Sequence, residues 1–238
     1  NTVTAAFDDN GTFTGDLGTA VVTVATNKTL TATALKVTGK SIVDAGADTA
    51  TVAITALHSD LDADLSGIAT NTVTAAFDDN GTFTGDLGTA VVTVANDKTL
   101  TGAANKLVNH TINKADGGNG AVVVTLNAAA DTGVNLTQLT GSAGITSITA
   151  ADSFTFAGTL HGTVATTVAD SVTFTTTALK ATGKTISDGD DTATVAITAL
   201  HSDLDADLSG IDANTVTAAF DDNGTFTGDL GTAVVTVA

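Results

Sequence analysis

Apolar and polar residues alternate in short runs along the whole chain. Val3, Ala5 and Phe7 alternate with Thr2, Thr4 and Ala6 in one run, and Val52 and Ile54 stand in a later run of the same kind. Alternation with a period of two places one set of side chains on each face of a β-strand. The runs end at turn-forming residues such as Asp-Asp-Asn-Gly or Leu-Ser-Gly. The pattern therefore predicts an all-β protein of many short strands.

Long identical segments recur in the chain. The 25-residue segment NTVTAAFDDNGTFTGDLGTAVVTVA begins at residues 1, 71 and 214, and the 21-residue segment DTATVAITALHSDLDADLSGI begins at residues 48 and 191. The spacing indicates a unit of about 70 residues, so we divide the chain into a partial repeat 1–25, a unit 26–95, a divergent unit 96–169 and a unit 170–238. Such copies suit an array, because each copy can supply the same stacking surface to the next.

The strand pattern and the repeats together favour one architecture. Short Thr- and Val-rich strands at even spacing predict a repetitive β-solenoid, that is, a parallel β-helix, with about 20 residues per coil and three or four coils per unit. One local signal favours another fold. Asp9-Asn10-Gly11 fits a three-residue hairpin loop that would pair Phe7 with Phe13. Tandem antiparallel β-sandwich repeats are therefore the alternative.

Composition narrows the functional classes. The 238 residues include 26 acidic and 8 basic ones, which gives a net charge of −18. A chain this acidic would be repelled by nucleic acid phosphates and by anionic lipid headgroups, so we expect no nucleic acid binding. We also expect no membrane insertion, because the sequence lacks an apolar run of about 18 residues. The chain contains no Cys, which excludes disulfides and thiolate metal sites.

Several runs resemble a known class of proteins. The runs TLTATALKVTGKSI, DLSGI and TGDLGTAVVTVA are similar to repeat regions of very large bacterial cell-surface proteins, namely S-layer proteins and the secreted repeat adhesins of Gram-negative bacteria. The resemblance implies an extracellular scaffold at the cell surface, often a β-solenoid and often one that uses calcium. The calcium-binding nonapeptide of such families reads Gly-Gly-x-Gly-x-Asp, and the nearest match, at residues 117–122, lacks the Asp.

Clustered aspartates are the candidate metal ligands. Acids stand at alternate positions in two copies of one segment, at Asp60, Asp62, Asp64, Asp203, Asp205 and Asp207. Carboxylates at alternate positions of an extended segment point the same way, and in a loop they could converge on a hard cation such as calcium. A solvated acidic turn is the alternative. An EF-hand loop would need Gly where Leu65 stands and a Glu that this chain does not contain.

The remaining candidate for catalysis is the tripeptide His-Ser-Asp. His58 and His201 each precede Ser and Asp directly, but adjacent residues on a strand point to opposite faces and do not form a catalytic triad. We therefore expect a non-enzymatic structural segment of an extracellular repeat protein, such as a surface layer, filament or adhesin stalk. It would associate with itself end to end or laterally through stacked repeats. The alternative is an adhesin module that recognises a surface glycan or another surface.

Overall fold

The chain folds as an all-β protein with 44% strand and 6% helix. The structure is a computed structural model that describes residues 3–46, 49–128 and 130–237. Its parallel sheets stack as a β-solenoid of about 12 turns, which confirms the predicted fold class. Asn1, Asp48 and Ala238, which begin or end repeated segments, lie outside the described residues.

The elements are short throughout. The first part of the chain contains β1 (Thr4–Phe7), β2 (Gly11–Phe13), β3 (Val21–Val24), β4 (Thr29–Thr33), α1 (Ala34–Val37), β5 (Ile42–Asp44), β6 (Thr51–Leu57), β7 (Ile68–Ala69), β8 (Thr72–Phe77), β9 (Gly81–Phe83), β10 (Val91–Val94), β11 (Thr99–Ala103), α2 (Ala104–Leu107) and β12 (Ile112–Lys114). The second part contains β13 (Ala121–Leu126), a 3-10 turn (Leu136–Gln138), β14 (Ile145–Ala150), β15 (Phe154–Phe156), β16 (Thr166–Val168), β17 (Thr173–Thr177), α3 (Ala178–Ala181), β18 (Ile186–Asp188), β19 (Thr194–Leu200), β20 (Ile211–Asp212), β21 (Thr215–Phe220) and β22 (Val234–Val237). Within the described ranges, no helix is long and apolar enough to cross a membrane.

Strands that follow one another along the chain generally belong to different sheets. The sheet orders are β1-β3-β5-β7, β2-β4-β6-β8-β10-β12, β9-β11-β13-β14-β16-β18-β20 and β15-β17-β19-β21-β22. The ladders between β1 and β3, between β4 and β6 and between β17 and β19 are parallel and in register. A parallel ladder needs a long connection between its strands, and here one turn of the solenoid provides it.

The predicted hairpin between β1 and β2 is wrong. β1 pairs with β3, so that Phe7 lies beside Val24, and β2 pairs with β4 in another sheet. The Asp-Asn-Gly turn is instead a corner within one coil, and it contacts the next coil because the side-chain oxygen of Asn10 accepts the N–H of Thr29 at 2.7 Å. The antiparallel sandwich that this turn suggested is therefore excluded.

The unit 26–95 contains an odd number of strands, namely the seven from β4 to β10. β8 repeats the sequence of β1 seven strands later, and β1 lies in the four-stranded sheet whereas β8 lies in the six-stranded one. Because two strands make one turn, a 70-residue unit spans about three and a half turns. The predicted three or four coils per unit agree with this number of turns. The prediction did not include the extra half turn, which places successive copies of a strand in different sheets.

Identical sequences form identical ladders. The same pairing, 17 residues apart, occurs at Thr4 with Val21, Thr74 with Val91, and Thr217 with Val234. The local sequence is therefore sufficient to define the register wherever the segment occurs.

The chain divides into two compact units, one of residues 1–102, 109–122 and 139–144 and the other of residues 103–108, 123–138 and 145–238. The core of each unit is a narrow column of inward-facing side chains. In β6 of the first unit, Val52, Ile54 and Leu57 are at most 2% exposed. The matching residues of β19 in the second unit are equally buried. The alternation predicted from the sequence is thus an inside–outside alternation.

Successive turns approach closely at one corner. A Cβ atom added to Gly85 would lie 2.1 Å from the carbonyl oxygen of Ala63, one turn earlier, and Gly228 stands in the same relation to Ala206. Such a distance is well inside van der Waals contact, and the contact atom belongs to the backbone. A side chain at this position would therefore push two turns apart.

We predict that Gly85→Ala destabilises the first unit. Overpacking against a rigid backbone typically costs about 1–3 kcal/mol, and urea denaturation followed by far-UV circular dichroism would measure the loss. Gly162→Ala is the matched control, because a Cβ there meets nothing within 4 Å. Equal unfolding midpoints for the two variants would contradict the close approach.

Candidate functional site

The predicted aspartate clusters lie on the corner that follows β6 and, in the second copy, β19. Ala63 and Leu65 are fully buried in the first copy, whereas Asp62 and Asp64 between and beside them are exposed. The alternate carboxylates therefore point outward together, as the sequence predicted for an extended segment.

The last acid of each cluster stabilises its own turn. A side-chain oxygen of Asp64 accepts the backbone N–H of Ser66 at 3.0 Å and the Ser66 hydroxyl at 2.6 Å. Asp207 makes the same two bonds to Ser209 at the same distances. The bonds from the Ser209 hydroxyl and backbone N–H lower the pKa of Asp207, because they favour the charged carboxylate.

The other acids of the clusters lie apart from this turn. The hydroxyl of Thr84, one turn later, donates to Asp62, and Thr227 donates to Asp205 in the second copy. Asp60 and Asp203 are exposed. Within the described ranges, no three His, Cys, Asp or Glu side chains come together as a set that could hold a metal ion. The calcium site at these six aspartates stays a prediction.

The same corner recurs with an aspartate in other turns. Asp16, Asp86 and Asp229 each accept the N–H of the residue two places on at 2.8 Å, and that residue is a glycine with φ of 55° to 57°. In the first unit the backbones of Asp64 and Asp86 pair as an isolated parallel β-bridge between adjacent turns. In the second unit the backbones of Asp207 and Asp229 pair in the same way. The recurring Asp-Leu-Gly and Asp-Leu-Ser tripeptides were the available sequence signal, but the prediction did not use it.

A second set of acids contacts the two residues that precede each aspartate cluster, which are His58 and Ser59 in the first copy. Asp79, in the Asp-Asp-Asn-Gly turn, accepts the Ser59 hydroxyl at 2.8 Å from one turn earlier. His58 Nδ1 lies 3.3 Å from a carboxylate oxygen of Asp78. The serine thus donates to an aspartate and not to the histidine, so the Ser–His pair of a catalytic triad does not form here. Sequence reasoning treated the two segments separately because they are about 20 residues apart.

The second copy repeats this contact and shows its electrostatic effect. Asp222 accepts the N–H of Ser202 at 2.9 Å, the Ser202 hydroxyl at 2.7 Å and the N–H of Gly224 at 3.0 Å. The bonds from Ser202, with that from Gly224, lower the pKa of Asp222.

The other two histidines are His161, which accepts backbone N–H groups, and His110, which is partly buried. His161 Nδ1 accepts the N–H groups of Thr163 and Val164 at 3.3 and 3.1 Å, and burial followed by the charge of Lys184 lowers its pKa. Burial also lowers the pKa of His110. Both shifts favour the neutral imidazole, which suits the acceptor role of His161.

A shallow groove runs beside the first aspartate cluster. It is lined by Thr33, Leu35, Ala56, His58, Asp60 and Leu61, and we call it the leucine groove. The six equivalent residues line a second leucine groove in the other unit, around Leu179 and His201. Leu35 is exposed because α1 is a single turn that buries Ala34 and Val37, and Leu35 lies on the opposite side of that turn.

Comparisons with protein-family models, with curated proteins and with solved structures return no match for this chain.

We predict that Asp222→Asn lowers stability near neutral pH and that this deficit shrinks in acid. The folded-state pKa of Asp222 lies below its ordinary value of 3.8. The ionised carboxylate therefore contributes stability above the ordinary pKa, and the contribution is lost as the pH falls through the folded-state pKa. Urea midpoints of the parent and the variant between about pH 7 and about pH 2 would measure it.

The neighbouring Asp221→Asn is the matched control for this experiment, because Asp221 is exposed. It is expected to change stability little at any pH. A deficit of Asp222→Asn that stays constant down to the lowest pH would contradict the assigned role of the carboxylate.

Proposed function

We propose that this chain is a non-enzymatic structural segment of an extracellular repeat protein, built by stacking of repeats. The observation that carries the proposal is the identical pairing of the identical segments, at Thr4 with Val21, Thr74 with Val91 and Thr217 with Val234. A segment that forms the same ladder at every occurrence can be added any number of times. Such independence of copy number is what a stalk, filament or surface layer requires.

The turn contacts support the same proposal. Asp64 N–H donates to the Thr38 hydroxyl of the preceding turn at 2.9 Å, and Leu65 N–H donates to the Asp86 carbonyl of the following turn at 2.8 Å. The second copy repeats both contacts at Asp207 and Leu208, at 2.7 and 2.8 Å. The backbone of each aspartate cluster thereby helps to hold one turn against the next.

Self-association and surface location belong to the same proposal. Parallel strand edges and identical repeats favour addition of further copies by stacking, either end to end or laterally. A bacterial cell-surface location, of the S-layer or adhesin type, follows from the resemblance of the runs quoted above.

The proposal predicts that one whole unit can be removed. Deleting residues 26–95 joins Ala25 to Asn96, and because residues 1–25 and 71–95 are identical, the natural Ala95–Asn96 junction is reproduced. We expect the shortened chain to keep its circular dichroism per residue and to unfold cooperatively. A deletion of residues 26–85, which joins Ala25 to Asp86 out of register, is the matched control and should lose both.

Unfolding of the unit-length deletion to the same extent as the control would contradict the proposal. If removal of the divergent unit 96–169 alone abolishes attachment of the parent protein to a surface, the adhesin module becomes the better explanation.

We also propose that calcium stabilises the array through the aspartate clusters. Alternate carboxylates that point outward together repel one another, and a divalent cation between them would relieve that repulsion. The melting temperature should then rise with millimolar calcium more than with sodium at equal ionic strength. Asp62→Asn combined with Asp205→Asn should remove most of the calcium-specific increment. Equal effects of the two salts would exclude a specific site.

A further inference from the structure

Among the described residues that lie between β1 and β22 in the sequence, the only exposed large apolar side chains are Leu35 and Leu179, one in each leucine groove. Leu35 is 65% exposed and Leu179 is 64% exposed, and the other exposed large hydrophobic residues of the described part lie at Val3, Val234 and Val237. A single exposed leucine needs no explanation, but here the exposure recurs at the same position of two repeats. In both, Leu61 or Leu204 lies beside it as a second apolar wall.

The backbone beside each leucine groove is strained. Ala56 and Ala199 have φ of 51° and 52°, a left-handed conformation that a residue with a Cβ rarely adopts. The pairing register of β6 with β8 shifts at this point, between Ile54 and Leu57, and β19 has the same bulge. Bulges and left-handed residues of this kind concentrate next to binding sites, where they direct side chains.

The divergent repeat differs from the other two at the corresponding position. The sequence TLTGAANK aligns with TLTATALK, so that Asn105 stands where Leu35 stands in the first unit. There the fully buried Asp131 accepts the N–H groups of Asn105 and Asn127 at 2.7 and 2.8 Å. The divergent repeat thus has a buried carboxylate bonded to this backbone, whereas the two near-identical repeats have a leucine groove there.

The charges around the groove select the kind of partner. Asp60 lines it, and His58, which also lines it, lies 3.3 Å from Asp78 and 3.9 Å from Asp79. At this groove a second copy of this chain would bring mainly acidic side chains, 26 against 8 basic ones, and Asp60 would repel them. A partner with a cation next to an aliphatic group would suit both the apolar side chains of the groove and the carboxylate of Asp60.

We propose that each leucine groove docks a polypeptide segment of a partner that carries an Arg or Lys side chain next to a leucine-like side chain. The aliphatic group packs on Leu35 and Leu61, and the cation lies near Asp60. The equivalent residues of the second unit bind in the same way. The chain therefore offers two equivalent sites, one in each near-identical repeat.

The test is a titration of the 238-residue protein with the peptide acetyl-Gly-Leu-Arg-Leu-Gly-amide, followed by methyl and amide NMR. We expect parallel shifts at Leu35 and Leu179, with His58 and His201 moving at the same peptide concentration, because the repeats present the same surface. Leu35→Asn, which copies the divergent repeat, should weaken binding to the first groove about tenfold. The second groove of the same molecule is then the internal control.

Two further arms separate the proposed partner from other occupants. Replacing the peptide Arg by Glu should abolish the shifts, and Asp60→Asn should weaken binding about two- to fivefold. Three results would each overturn the proposal. These are no shift at either groove with millimolar peptide, shifts spread along the acidic surface that Leu35→Asn does not change, and equal binding of the Glu peptide.

Discussion

The structure depends on parallel hydrogen bonding between one turn of backbone and the next. Each ladder needs its strands to return to the same place after one turn, so the connecting corners must have a fixed length and shape. The corners meet that requirement with aspartates: Asp64 closes its own turn through Ser66, and Asp79 and Asp44 accept N–H groups from neighbouring segments. Core, corner and ladder are therefore one system, because an error at a corner would displace every inward residue after it.

The acidic composition acquires a structural explanation from these corners. Backbone N–H groups at a turn lack ladder partners, and a carboxylate is the strongest acceptor that a short side chain can offer them. Asp188 is an example: the N–H groups of Asn214, Ala193 and Asp190 lie within 3.2 Å of its oxygens and, against the opposing effect of desolvation, lower its pKa. Asp131 provides the buried variant of the same device. A chain that makes a corner several times per repeat therefore accumulates acids.

Sequence reasoning recovered the features that depend on local pattern. The alternation of Val52 and Ile54 with polar residues predicted strands, and the identical segments predicted stacking. It missed features that arise between turns. The contact of Ser59 with Asp79 joins residues 20 positions apart, and no local pattern links them. The hairpin at Asp9-Asn10-Gly11 was wrong because the turn chemistry was compatible with two folds, and pairing to the next coil at Thr29 decided between them. The exposure of Leu35 could not be predicted from the sequence, because a one-turn helix is too short to interrupt the alternating pattern of the strands.

The regular rise of the turns gives each compact unit a high density of charge along its own solenoid axis. A net charge of −18 distributed over about 12 turns is about 1.5 charges per turn. Since each turn rises about 4.8 Å, adjacent charges are roughly 3 Å apart along the axis. In water the interaction energy of two unit charges equals the thermal energy at a separation of about 7 Å. The charge spacing is shorter than this separation, and under that condition counterions condense on a linear polyelectrolyte. A sheath of small cations therefore accompanies the folded chain, and a cationic partner that docks on it gains entropy by releasing part of that sheath.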